Sequence, residues 1–351
     1  MKPEVNKVKL VLYIVASTLL ITFVFYGYQI CYTPNILLER EDQVFIIRPG
    51  TTFSQIQEEL GNQSFVNDMV SFSFLAKLTN YDKTIKPGRF LFRRNMSNLQ
   101  ALNVLKFSQQ VPVRITFSYV RLRNEMVEKI TKNIGLSGDE FNHAMDEFIR
   151  TNDQGFNKDN ILCMFLPNTY EVYFTVSAED LVNKFNAEYK KFWNEDRISK
   201  AKSTGLSPID VSILASIVQA ESVKPDEAPV IAGLYLNRLK KKIALQADPT
   251  LVFAVGDFGL KRVLNSHKEI DSPYNTYKYP GLPPGPINVP QLASIDAVLN
   301  YQPNDYYYMC AKEDFSGYHN FAHNLDDHNR NARKYQRALN AEIEKAKQNR
   351  K

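Results

Sequence analysis

The sequence predicts an α+β protein: one N-terminal transmembrane helix, then a small α+β module, then a larger α+β domain. Three observations predict it. An uncharged run rich in Leu, Val, Ile, Phe and Tyr extends from Leu10 to Ile30. As a helix such a run spans about 30 Å, the thickness of a bilayer's hydrocarbon core. Behind it, residues 43–110 read as strand, helix, helix, strand, with β-branched and aromatic runs set off by Pro-Gly turns. Further along, helical patterns with start signals alternate with a Pro- and Gly-rich loop and the Tyr-rich strand DYYYMCA, Asp305–Ala311.

Lys2, Lys7 and Lys9 precede the apolar run, and Glu39, Glu41 and Asp42 follow it. The positive-inside rule then places the first residues in the cytoplasm and everything after Ile30 outside. A cleaved signal peptide would want a shorter apolar core and small residues before the cut, and Tyr26-Gly27-Tyr28-Gln29-Ile30 is a poor cleavage site. Bulky Ile30 also argues against lipidation of Cys31. The expectation is an uncleaved single-pass anchor: a cytoplasmic tail at 1–9, a transmembrane helix at 10–30 and a tether at 31–42.

With 351 residues the chain can hold two or three domains with full-sized cores. A net charge of +5, with basic residues scattered among acidic ones, is no nucleic-acid signature. Three cysteines make an odd count rather than a disulfide framework, although Cys163 and Cys310 could pair in an oxidising compartment.

In the module at 43–110, VFIIRPGTTFSQIQEEL gives a strand, a Pro49-Gly50 turn and a helix at Phe53–Leu60. Ser64 is a plausible N-cap for a second helix, Ile85–Phe92 a strand, and Asn98–Phe107 a helix. Residues 111–204 form an intermediate α+β segment: a strand at Val111–Val120, helices near Arg121–Ile134 and Ser137–Ile149, a strand after Pro167-Asn168, a helix at Ala178–Trp193 and a linker at Lys200–Gly205. The last domain, 205–345, opens on SPIDVSILASIVQAESVKP, Ser207–Pro225. Ser207 is an N-cap, Pro208 suits the first helical position and Asp210 the first turn. Leu214, Ile217, Val218 and Glu221 then share a face. A second helix follows with Ile231, Leu234, Tyr235 and Leu239 on its apolar face, then LQADPTLVFAV, the loop SPYNTYKYPGLPPGPINVP, a helix at Pro290–Leu299, and a polar loop and terminal helix after Asp305–Ala311.

Glu221 is the candidate for chemistry. Apolar neighbours penalise its charged form, the negative end of the helix dipole repels it, and Val218 and Ile217 occupy the places where a cation would compensate. A carboxyl kept protonated near neutral pH is a candidate general acid. The plain alternative is a glutamate turned outward at a frayed helix end. Other chemistries fit less well. His319, His323 and His328 fall within ten residues, but no acid sits between the first two as in HExxH. Phosphate-cradling glycine motifs and GxSxG are absent. Glycoside cleavage needs a proton for the leaving oxygen and usually a second carboxylate. Asp226, Glu227, Asp248 and Asp271 are available, and none is singled out. One carboxyl suffices when the substrate supplies its own nucleophile.

ASIVQAES, then NRL, LQADPT, YNTY, GLPPGPI and HNF…HN, in this order behind one membrane helix, resemble the endolytic murein transglycosylases of the YceG-like family. The similarity covers nearly all of the chain after the anchor. RPGTTFSQI further resembles a LysM-type glycan-binding module, the alternative being a packing domain that holds the rest off the membrane. The resemblance implies a lytic transglycosylase of the inner (plasma) membrane with its catalytic part extracytoplasmic. It cuts the MurNAc-β-1,4-GlcNAc bond of nascent peptidoglycan strands, leaves 1,6-anhydro-MurNAc ends and uses Glu221 as acid and then base. It implies no metal or cofactor, peptidoglycan glycan strands and membrane-bound peptidoglycan synthases as partners, and no nucleic acid. Members usually carry a Glu two positions before the catalytic one, where this chain has Gln219. Gln246, Asp248, Tyr274, Asn275, Tyr277, His323, His328 and Asn329 are the implied substrate contacts, with Gly281, Pro283, Pro284 and Gly285 shaping the wall they stand on. Asp248 serves equally as a cap for the turn at Pro249, and the Tyr-rich loop as a rigid crossover. A lysozyme-like hydrolase with a second carboxylate, or a non-catalytic glycan-binding scaffold of the cell-wall machinery, are the alternatives.

Overall fold

A computed structural model describes residues 6–39, 42–260 and 262–348 of the chain. Lys2 and Glu41, used above to orient it, lie outside the described residues. In chain order the elements are α1 (Lys7–Tyr32), β1 (Pro34–Ile36), β2 (Asp42–Ile47), α2 (Phe53–Asn62), α3 (Met69–Leu78), β3 (Gly88–Arg93), β4 (Met96–Ser97), α4 (Asn98–Phe107), β5 (Val113–Phe117), α5 (Arg123–Thr131), α6 (Gly138–Thr151), β6 (Asn168–Val172), α7 (Ala178–Phe192), α8 (Glu195–Thr204), α9 (Pro208–Glu221), α10 (Ala228–Lys240), α11 (Asp248–Val255), α12 (Leu292–Leu299), β7 (Tyr308–Ala311), β8 (His319–Ala322) and α13 (Leu325–Gln348). The mixed α+β class and the long apolar first helix agree with the expectation. α1 has 26 residues and buries none of them, and among the described residues it alone is long and apolar enough to cross a membrane.

The chain divides into two compact units. The first takes the described residues up to Arg114, with Asn133–Leu136 and Tyr170–Ser177. Its centre is the antiparallel β2–β3 pair, in register from Asp42↔Arg93 to Ile47↔Gly88 although α2 and α3 lie between them in the chain, which lays Phe45, Phe90 and Phe92 against α2, α3 and α4. Alternation along each strand sends one set of side chains into that core. The helices are capped as short helices must be: Thr52 and Gln55 form a capping box on α2, and Ser97 and Gln100 another on α4. α3 starts later than expected. Asp68 caps it, while Ser64 takes a left-handed turn conformation.

The span expected to be a free tether is structural. β1 pairs with β4, and Ile36 and Leu38 are buried in the core of this unit. The Asn35 amide donates to the Asn98 side-chain oxygen at 2.6 Å, and the Asn98 amide in turn donates to the Ile30 backbone carbonyl at 3.0 Å. Apolar residues so close to α1 are drawn into the nearest core, because exposing them would forgo their burial.

The second unit comprises Ile115–Lys132, Ser137–Thr169 and the described residues from Ala178 onward. It is built around α9, whose residues Val211 to Val218 are all buried and which packs on α8, α10, α11 and α12. A helix apolar on every side belongs inside a helical layer. Two local expectations change here. The stretch Lys200–Gly205 is not a linker: α8 runs through Thr204 and ends on Gly205 in the left-handed conformation. The polar segment after Asp305–Ala311 contains a strand, β8, antiparallel to β7 from Tyr308↔Ala322 to Ala311↔His319.

Candidate active site

Ser207 starts α9 as the sequence implies. Its hydroxyl accepts from the Asp210 N–H at 3.1 Å, and the Asp210 carboxylate accepts from the Ser207 N–H at 3.1 Å. From that fixed start, fourteen residues later, the helix delivers Glu221 as its last residue. Near the same end Gln219 fastens α9 to the Pro-rich loop. Its Nε2 donates to Asn288 at 3.0 Å, and its Oε1 accepts from the Gln291 N–H at 2.5 Å. Asn288 also donates to the Ser216 carbonyl, and the Ser216 hydroxyl accepts from the Ile287 N–H. The helix end is therefore held from the side as well as from its start.

Glu221 faces open space. A recess of about 510 Å³ lies on one side, between α10, the β7–β8 hairpin and the segment Leu245–Asp248. A larger one of about 1120 Å³ lies on another, bounded by α11, the start of α5's approach and α13. Glu221 and Asp248 border both, so the two form one groove with the carboxyl partway along it. Burial pushes the Glu221 carboxyl up to about 7. The Tyr235 hydroxyl, donating to Oε1 at 3.0 Å, opposes that rise, and the nearby Asp248 charge adds to it. A group half-protonated near neutral pH can both give and take a proton.

The groove wall is built by residues from α10, α11, β7, β8, α13 and the loops between them. Arg238 is buried and donates to the Ala244 and Tyr307 carbonyls and, at 2.7 Å, to the Gln246 side-chain oxygen. Gln246 itself has φ +53°, an uncommon left-handed conformation for a side-chain-bearing residue. Tyr277 donates to Asp248 at 2.6 Å. On the hairpin, His319 Nδ1 lies 2.9 Å from Glu227, whose other oxygen accepts the His319 N–H at 2.9 Å. His328 stacks on Tyr308, and burial lowers its pKa, with the Arg238 charge acting the same way.

Of the implied substrate contacts, the groove gathers Gln246, Asp248, Tyr277 and His328 around Glu221. Four others stand elsewhere. Asn275 is fully buried; its amide donates to the Lys268 and Ile270 carbonyls and its oxygen accepts from the Tyr277 and Lys278 N–H groups, so it shapes the loop from within. Tyr274 packs on Phe253 with ring centres 4.6 Å apart. His323 pairs with Asp305 at 2.9 Å and stacks on Tyr306. Asn329 is exposed on α13. The three histidines thus have three separate partners, and no metal-ligating trio exists among the described residues. Sequence reasoning missed Tyr235, Arg238, His319 and Glu227. Tyr235 and Arg238 read as ordinary helix-packing residues, and the Glu227–His319 pair spans 92 positions, so no local spacing could reveal it.

The chain is 25% identical over 342 residues to the endolytic murein transglycosylase of Streptococcus pneumoniae (strain D39), covering 88% of this chain and 61% of that protein. It is 38% identical over 159 residues to the endolytic murein transglycosylase of Bacillus subtilis (strain 168), covering 45% of this chain and 43% of that one. The chain thus spans about three fifths or less of the length of these curated relatives. Among solved structures, a crystal structure of a yceG-like protein, lmo1499, from Listeria monocytogenes superposes with a TM-score of 0.54 at 25% identity, over 83% of this chain and 98% of that one. The model of the YceG-like family matches residues 45–334, well over half of the sequence and including Glu221, and the chain therefore belongs to the YceG-like family.

Proposed function

We propose that the chain is an endolytic peptidoglycan lytic transglycosylase with Glu221 as its single proton carrier. The observation that carries the reading is a carboxyl raised by burial to about 7, bordered by recesses of about 510 and 1120 Å³. In the first step Glu221 protonates the oxygen that bridges MurNAc C1 to GlcNAc, and the C1–O bond breaks. The resulting carboxylate then takes the proton of the MurNAc 6-hydroxyl as O6 closes onto C1. No water is consumed, the acid is regenerated, and a 1,6-anhydro end forms. In this reading Tyr277, Gln246 and His328, which line the recess beside Glu221, contact the sugars. The names of the relatives from Streptococcus pneumoniae and Bacillus subtilis support the substrate class.

In this reading α1 anchors the chain in the inner membrane with its N-terminus cytoplasmic, the rest faces the periplasmic or extracytoplasmic side, and the LysM-like module binds glycan. That placement puts the groove near nascent strands and the synthases that extend them. The apolar α1 supports the anchor. Asp248 in the same groove favours one second reading, a hydrolase that uses it as the other carboxylate. The product end group decides between them. Full-length chain in detergent is incubated with sacculi and the muropeptides are analysed by mass spectrometry. Anhydro-ended products with the parent chain, and none with a folded Glu221→Gln variant, are expected. Reducing ends would select the hydrolase, and anhydro products from Glu221→Gln would remove Glu221 from the chemistry.

A further inference from the structure

The larger recess contains a cation that the acid–base chemistry does not use. Arg121 lines it together with Glu221. Its guanidinium carbon lies 4.6 Å from the Phe258 ring centre and 4.9 Å from that of Tyr119. Aromatic contacts of this kind engage the flat faces of the guanidinium and leave the N–H edges available. Glu125, the acid nearest in sequence, does not engage them: its Oε2 accepts from the backbone N–H groups of Arg121 and Leu122, at 2.9 and 3.4 Å. Among the described residues no carboxylate stands within ion-pair distance of the Arg121 side chain, although Asp248 and Glu221 border the same recess. The second arginine of the recess, Arg262, is also without an ion pair there. A positioned, half-buried guanidinium with open donors is an anion-binding feature, because its fork matches a carboxylate.

We propose that Arg121 is a subsite for a carboxylate of the peptide stem carried by the substrate's muramic acid. The inference rests on the reading of the groove as a peptidoglycan site and deepens it. The lactyl carboxyl of each muramic acid is tied up as an amide wherever a stem is attached, so on such strands the carboxylates brought beside the scissile bond belong to the stems. Bidentate capture of one would set which residue along the strand lies over Glu221, and would make the chain prefer strands with free stem carboxylates.

The test measures binding, so it does not depend on turnover. Full-length chain with Glu221→Gln, in detergent, is titrated with soluble strands bearing free stem carboxylates. The same strands are also used after their carboxylates have been converted to amides with carbodiimide and ammonium. Free-carboxylate strands should bind roughly tenfold more tightly, the scale of a charged hydrogen-bonded contact. Adding Arg121→Gln should erase that preference by weakening only the free-carboxylate strands. Arg121→Lys, which keeps the charge and the ring contacts, should retain part of it. Equal binding of the two strand types by the Arg121-bearing chain overturns the proposal. So does an equal loss on both strand types in Arg121→Gln, which would mark a structural or sugar-contacting role. No strand binding at all overturns it together with the peptidoglycan reading, whereas binding without anhydro products from the parent chain counts against the chemistry alone.

Discussion

Burial raises the Glu221 carboxyl, and its two close neighbours then pull in opposite directions. The Tyr235 hydroxyl stabilises the charged form, so Tyr235→Phe leaves the acid protonated to higher pH. Asp248 destabilises the charged form, so Asp248→Asn lets it ionise at lower pH. Because the acid must begin protonated, activity should fall as pH rises through about 7 in the parent. The alkaline limb of kcat/KM should move up in Tyr235→Phe and down in Asp248→Asn; limbs that stay put in both would mean that another group controls the profile. Gln219 is a residue-scale lesson of a different sort. Two positions before Glu221 this chain has an amide that donates to Asn288 while accepting from Gln291, a pairing no carboxylate can make from both ends. Its place in the motif reads as chemistry, and its contacts read as fastening.

At the scale of elements, the groove depends on how α9 meets the Pro-rich loop. Gly285 in that loop lies against the Asp159 backbone, so a Cβ there would fall well inside contact with the Asp159 carbonyl and near the Tyr274 hydroxyl. Neither a backbone carbonyl nor a ring wedged on Phe253 can step aside cheaply. Gly285→Ala should therefore destabilise the second unit by about 1–3 kcal/mol, read as an earlier thermal unfolding transition, and should displace Ile287 and Asn288 from α9. An unchanged melting temperature would show that the loop can back away. The glycine-proline string is legible in the sequence as a rigid turn. That it must clear a carbonyl 126 positions earlier is not, since 285 and 159 meet only in the fold.

For the whole molecule, the boundary of the first unit's core lies closer to α1 than composition suggests. A fragment beginning at Asp42 would discard β1 and with it buried Asn35, Ile36 and Leu38. Each such aliphatic side chain contributes about 1.5–3 kcal/mol when fully buried. A fragment starting at Thr33 keeps them. Under limited proteolysis the Thr33 fragment should resist cleavage within its first unit, while the Asp42 fragment is cut rapidly in the same stretch. Equal resistance would show that β1 adds nothing to that core.

The sequence by itself determined the apolar helix, the α+β class, the start and end of α9 and the candidacy of Glu221. These depend on local physics: the length of an apolar run, a cap beside a proline, the period of a helix. The family resemblance named Gln246, Asp248, Tyr277 and His328, and the fold lines one recess with them beside Glu221, although they come from separate stretches of the chain. Only the tertiary structure decided that Tyr235 bonds the carboxyl, that Arg238 holds the wall, that Glu227 grips His319, and that Asn275 and Tyr274 work inside the loop rather than in the groove. The reason is physical. A polar side chain's role is set by which partners it meets on folding; Glu227 meets His319 across 92 positions and Arg238 meets Tyr307 across 69, and even the short-range bonds of Asn275 depend on the turn its loop adopts.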